Sequence, residues 1–394
     1  MSAAMSRRML LRSTAAGAAV IISGRYASTI RAESPAEIRQ ITNDSFPKSN
    51  IYCEIPYCSR SSRYLVYVRQ DPKLPINDSE LMVVALGTWK QDRLDACTGI
   101  DGIAMSPQGV LFYLKRNEKR ELDLMRVDLE KGTSRKVYSR KDGPMLSMGS
   151  ITSDEKYYTV GVPAAKDWTD FGIVVADLEK GTESIIDRDP FILNPHPQFD
   201  PGNSRRLLIQ HNRGGKYRPD GTLVNLVGQE GATLYVLSLD GKRTELKVGK
   251  PYTAPCTGHE TWIGSTGEIL LSVEALGENV PAKGNLLAIR PGEDARVIGK
   301  GYRTNHLGVS RCGRFYSCDD WQPPYKIIIG SIRTGRSTVI CESQNKIVDS
   351  HNSHPHPYIT PDLKYVIFNS NRTGSPQIYA AAIPESLIAE LDKA

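Results

Sequence analysis

Asp128-Leu129-Glu130-Lys131-Gly132 is repeated as Asp177-Leu178-Glu179-Lys180-Gly181, 49 positions later, and each copy follows an apolar run, Leu124-Met125-Arg126-Val127 or Ile173-Val174-Val175-Ala176. Weaker copies of this strand-then-turn unit stand at Val236–Gly241, Leu287–Gly292 and Gly330–Gly335. A second landmark keeps step with the first. Ser106-Pro107-Gln108-Gly109, Thr152-Ser153-Asp154, Asp200-Pro201-Gly202, Ser265-Thr266-Gly267, Ser310-Arg311-Cys312-Gly313 and Thr360-Pro361-Asp362 each precede an apolar, β-branched or aromatic run. Such residues favour tight turns, so each landmark joins the first and second strands of a unit. A degenerate earlier unit near 62–95, with strands at Tyr64–Tyr67 and Leu81–Ala85, brings the count to seven. Units of roughly 40–50 residues with several short strands and no helical period mean propeller blades. The expected architecture is all-β: a seven-bladed β-propeller forming one domain over 33–394, with helix only near the N-terminus and at Glu385–Lys393. Arg213 to Gly231 is a long polar insertion between the second and third strands of blade four, and such loops commonly carry function.

Composition narrows the function. The 394 residues are 40% hydrophobic and 24% charged, with a formal charge of +6. Residues 1–32 carry five arginines and no acid, which leaves 45 basic against 44 acidic side chains in the remainder. A nearly neutral domain lacks the field that a nucleic-acid binder uses. Ser6-Arg7-Arg8-Met9-Leu10-Leu11-Arg12 followed by Ala15–Ile22 reads as a twin-arginine signal, cleaved near Ala32, so a periplasmic or secreted protein is expected. That apolar stretch is well short of the ~20 residues that a membrane span needs, and no membrane insertion is expected. The seven cysteines include no CxxC pair; at most one or two disulfides are expected, with Cys53/Cys58 and Cys312/Cys318 nearest in sequence.

The chemistry lies in the histidines. None of the seven lies before position 196: His196, His211, His259, His306, His351, His354 and His356. His196, His259, His306, His354 and His356 stand just before the turn landmark of their blade, hence on innermost strands, which line the central channel. Residues at one level of successive blades converge there although ~50 positions apart in sequence. His354 and His356 alternate with Pro355 and share one side of a strand. With His351 from the incoming loop and His306 from blade six they form a cage of four imidazoles, a ligand set for Mn, Zn, Fe or Ni.

Cys256-Thr257-Gly258-His259-Glu260-Thr261-Trp262, Asn305-His306-Leu307, His354-Pro355-His356-Pro357-Tyr358-Ile359-Thr360-Pro361 and the closing run from Gln377-Ile378-Tyr379 to Ile383-Pro384-Glu385-Ser386 resemble the corresponding blades of oligogalacturonate lyases. The likeness covers blades four to seven well and the first three only through the repeat. It implies a channel-mouth metal, typically manganese, held by three histidines and a glutamine, with another histidine as base. Motif by motif, His306, His354 and His356 take the histidine ligand places, His351 that of the glutamine, and His259 that of the base. Where the family presents an arginine before the third strand of blade four, this chain has Thr233; Arg213, Arg218 or Arg303 would substitute, and Arg213 is preferred.

These groups suit β-elimination from a 4-linked uronate. The C5 proton is weakly acidic, and a cation and an arginine on the C6 carboxylate stabilise the enediolate that forms on its removal. A neutral histidine is a suitable base. Tyr217 or water would protonate the leaving oxygen, and His196 and His211 fit as substrate contacts or supports. The expected partner is therefore a uronic-acid oligosaccharide. Ulvan lyases, which cleave another uronate polymer, are the alternative of the same class. A non-catalytic propeller of the TolB type, suggested by Asn369–Tyr379, is the alternative of a different class.

Overall fold

The computed structural model describes residues 36–75, 78–346 and 353–393. The expected signal segment, 1–32, and His351 lie outside the described residues. Within them the strands form seven antiparallel four-stranded blades at 48–97, 104–141, 150–189, 198–245, 256–299, 304–342 and 358–382. The seventh takes its outermost strand from the other end of the chain: Ile38–Gln40 pairs with Gln377–Ala382, which fastens the ring. Blades four and five are joined into one sheet by a single pair, Ala232 with Cys256. Innermost strands of successive blades lie side by side from blade two round to blade seven.

The burial pattern explains the arrangement. In blade three the third strand, Phe171–Asp177, is buried at every position but the last, whereas the outermost, Thr182–Asp189, begins with four exposed residues. A strand buried on both faces reads as a continuous apolar run, and each blade packs both faces against its neighbours. The landmarks act as turns. Oγ of Ser106, Ser310 and Thr360 accepts the backbone N–H of Val110, Phe315 and Tyr365 at 3.0–3.1 Å. In the repeated pentapeptide, Asp128 Oδ1 accepts from the N–H groups of Glu130 and Lys131, as Asp177 Oδ1 does from Glu179 and Lys180. Gly132 and Gly181 then close the turn with φ of 64° and 68°, a region glycine enters without steric cost.

The insertion in blade four is a small hairpin, Lys216–Tyr217 with Leu223–Asn225. The single α-helix among the described residues, Glu385–Leu391, buries Leu387 and Leu391. No helix among the described residues is long and apolar enough to cross a membrane. All seven cysteines are free, so neither expected pair is bridged; Cys318 is buried in a strand whereas Cys312 is exposed on the preceding turn.

Blade one departs from the repeat. Its innermost strand is represented only by its ends: Lys48–Ser49 pairs with Val68 and Arg69, and Cys58 bridges Leu65. Between them, residues 50–56 leave the sheet and cross the axle. Cys53 reaches blade six, where a Cβ on Gly308 would overlap its carbonyl oxygen, and the Glu54 carbonyl accepts from Thr261 Oγ1 of blade five at 2.9 Å. The segment plugs the channel. On the turn side of the plug lies a cavity of about 210 Å³ lined by Glu54, Gln198, Phe199, Thr261, Trp262 and Arg311, among others. The histidines lie on the other side.

Candidate functional site

Five of the six described histidines converge at the mouth of the channel. The possible ligand nitrogens of His306, His354 and His356 all lie within 4.8 Å of one another. The His306 ring centroid is 4.8 Å from that of His354 and 4.6 Å from that of His356, and the His259 ring is 4.3 Å from His306. His354 and His356 lie in an irregular extended segment before the short strand Tyr358–Ile359 rather than within it, yet both rings turn toward His306.

The donor set fits a divalent ion. His306 is buried, and Asp319 on the second strand of blade six accepts both its backbone N–H (2.9 Å) and its Nδ1–H (2.8 Å). That bond fixes the tautomer and leaves Nε2 with its lone pair, as a carboxylate behind a metal-binding histidine commonly does. Burial, and then neighbouring histidines, push His306 and His356 well below the usual histidine range, and burial lowers His354 as well. Neutral imidazoles are what a cation requires. His351, the expected fourth donor, lies outside the described residues.

His259 stands beside these three. Burial first, then His306, His196 and His354, hold it well below its ordinary pKa, so it is unprotonated at neutral pH. Its Nδ1 is 2.8 Å from Tyr52 Oη. The neighbouring Glu260 is fully buried, and neither carboxylate oxygen is hydrogen-bonded among the described residues. Burial pushes its pKa up to about 8, which keeps it neutral at pH 7.

His196 belongs to the cluster in space but its nitrogens are occupied. Nδ1 donates to Glu54 Oε1 at 2.6 Å, and Nε2 accepts from Asn194 Nδ2 at 2.9 Å. Burial alone would lower its pKa; the Glu54 carboxylate outweighs this and raises it.

The plug supplies what the repeat does not contain. The Tyr52 ring packs 4.4 Å from His356 and 5.0 Å from His196. Asn50 donates its N–H to Asn369 Oδ1 (2.8 Å) and its side chain to the His356 carbonyl (2.6 Å). Ile51 is held at a φ of 76°, left-handed backbone that costs a β-branched residue roughly 1–3 kcal/mol. Trp321 lies on the other flank, 5.0 Å from His306 and 4.9 Å from His354.

The remaining expected site residues lie apart from this cluster or at its edge. His211 Nε2 is 2.9 Å from Asp189 Oδ1, and its ring packs on Phe191 and Tyr235. Arg213 donates from Nε, Nη1 and Nη2 to the carbonyls of Gly231, Lys250 and Glu230 at 3.0–3.2 Å. It therefore clamps the inserted loop instead of presenting a free guanidinium. Thr233, where an arginine was looked for, is buried and bonds the Val248 carbonyl at 2.7 Å. Tyr217 stacks on Trp168 at 5.1 Å. Arg303 is exposed three residues before His306, its carbonyl accepts the Trp321 N–H at 2.8 Å, and its guanidinium has no partner among the described residues. Tyr52, Glu54, Asn50 and Asp319 were not anticipated. Asp319 alone left a trace, as an acid at the end of an apolar strand beside the His306 strand.

No family model matches the chain. The oligogalacturonate lyase of Dickeya dadantii (strain 3937) is 23% identical over 344 residues, which is 77% of this chain and 82% of that protein. The oligogalacturonide lyase of Pectobacterium atrosepticum is 23% identical over 325 residues, 72% of this chain and 77% of the relative. Among solved structures, an oligogalacturonate lyase in complex with manganese aligns with a TM-score of 0.65 at 19% identity, covering 92% of this chain and 97% of the other. The oligogalacturonate lyase of Vibrio parahaemolyticus aligns equally well, 0.65 at 17% identity, covering 90% and 96%. The solved structures support the propeller fold, and the curated relatives are the enzymes that the motifs resemble.

Proposed function

We propose, with likeness to the oligogalacturonate lyases as the premise, that this chain is a polysaccharide lyase. It cleaves 4-linked uronate oligosaccharides by β-elimination and leaves a 4,5-unsaturated product. One observation carries the reading: a neutral histidine, His259, beside three neutral imidazoles grouped as metal donors around the channel axis.

His306, His354 and His356 would hold the ion, with His351 as a further donor. Manganese is favoured by the ion in the similar solved structure. When bound, it would neutralise the uronate carboxylate and so make the C5 proton more acidic. His259 takes that proton as the C4–O4 bond breaks and the C4–C5 double bond forms. Arg303, exposed and with no guanidinium partner among the described residues, pairs with a uronate carboxylate; Arg213 is occupied elsewhere. Tyr217 and water remain candidates to protonate the leaving oxygen. The twin-arginine motif supports action outside the cytoplasm, in the periplasm or beyond.

The test is a panel of oligogalacturonides and ulvan fragments supplied with Mn²⁺, read by the ultraviolet absorbance of the unsaturated uronate. The buried Thr233 keeps the second polymer on the panel, because the carboxylate site differs from the pattern that the galacturonate enzymes present. Turnover without that absorbance would exclude a lyase, and no turnover on any uronate would leave a binding propeller.

A further inference from the structure

Segment 50–56 costs the fold a regular innermost strand and places Ile51 in left-handed backbone. In return it brings one hydroxyl to the base. Tyr52 Oη lies 2.8 Å from His259 Nδ1, its ring is wedged between His356 and His196, and Asn50 ties the segment to both the His356 carbonyl and Asn369. Glu54 anchors the other end through His196 and Thr261. Tyr52 is thereby fixed from both sides.

A neutral imidazole carries a proton on one nitrogen and a lone pair on the other. Were Tyr52 to donate to Nδ1, the proton of His259 would sit on Nε2, and the ring could accept nothing from a substrate. Were Tyr52 to accept from Nδ1–H, Nε2 would keep its lone pair. We propose that Tyr52 is the positioning residue of the base, holding His259 as the Nδ1–H tautomer so that bare Nε2 faces the channel mouth. The choice between the two tautomers rests on the lyase reading, which needs a lone pair on Nε2; the Tyr52–His259 contact itself does not. Removal of the C5 proton then gives an imidazolium whose Nδ1–H remains on Tyr52, and return of one proton to solvent restores the starting state.

The experiment uses the full chain labelled with ¹⁵N-histidine and free of metal. Two-bond ¹H–¹⁵N correlations report each tautomer, and His259→Gln identifies the peak. The expected result is Nδ1–H for His259 in the native protein and a shift toward Nε2–H in Tyr52→Phe. With Mn²⁺ and substrate, Tyr52→Phe is expected to lower kcat about 10- to 100-fold, with KM, bound manganese and melting temperature unchanged. An Nε2–H ring in the native protein overturns the inference, as does a Tyr52→Phe variant whose tautomer is unaltered. If no uronate is cleaved, the lyase reading falls, and the tautomer still decides the role of Tyr52.

Discussion

His196 and His356 hold the same position in blades four and seven. Each stands between two prolines with a φ of 43°, and in each case the carbonyl of the preceding proline accepts a backbone N–H from the second strand, Gln210 or Asn369, at 2.8 Å. What distinguishes them is what reaches the ring. Glu54 and Asn194 occupy both nitrogens of His196, whereas the His356 ring makes no side-chain hydrogen bond among the described residues and packs on His306. Alanine at His306, His354 or His356 should therefore abolish manganese binding and turnover together. Alanine at His196 or His259 should leave the metal in place, and His259→Ala should still abolish turnover. Elemental analysis beside the absorbance assay separates the two groups.

Asp319 touches His306 and no expected substrate. Asp319→Asn should weaken manganese binding about 10- to 100-fold, because the His306 ring loses the acceptor that fixes its tautomer. Calorimetric titration of metal-free protein measures this directly, and an unchanged affinity would remove Asp319 from the site.

The two arginines make opposite predictions. Arg303→Ala should raise KM by an order of magnitude or more and leave the melting temperature alone, since its guanidinium has no partner among the described residues. Arg213→Ala should destabilise the fold by on the order of 1–3 kcal/mol, through three carbonyls left without their charged donor. Thermal melts and initial rates on the same preparations suffice.

Acid should loosen the blade three to blade four contact. Burial raises the pKa of Asp189, but hydrogen bonds from His211, the Phe191 N–H and Arg243 overcome this and lower it to about 2. A carboxylate with a folded pKa below its unfolded value stabilises the fold above the unfolded pKa, and that stability is lost as pH falls through the folded one. The window here is about pH 4 to 2, and the contribution is about 2 kcal/mol. Asp189→Asn should be less stable at pH 6 and should flatten the stability curve within that window, as denaturant titrations at each pH would show.

The ring was legible because its signals are local. The turn landmarks before second strands and the repeated Asp-Leu-Glu-Lys-Gly are short-range hydrogen-bonded motifs, and each is found where the pattern put it. The histidines were legible for a related reason: a repeat converts sequence position into height on the axle, so His259, His306 and His356 meet without any local signature. Tyr52 and Glu54 were not legible, because residues 50–56 leave the strand pattern and alternation says nothing about a chain that crosses a channel. Arg213 was misleading in another way. A charged residue in a long loop reads as a ligand group, and only coordinates show that the carbonyls of that loop already occupy it.

The pairing of Ile38–Gln40 with Gln377–Ala382 has a consequence for biosynthesis. Ile38–Gln40 has no partner until Gln377–Ala382 emerges, so a nascent chain on the ribosome can carry every histidine and still lack the circle that aligns them. The circle closes only when synthesis of the propeller is nearly complete, and a copy lacking either Ile38–Gln40 or Gln377–Ala382 should lose it.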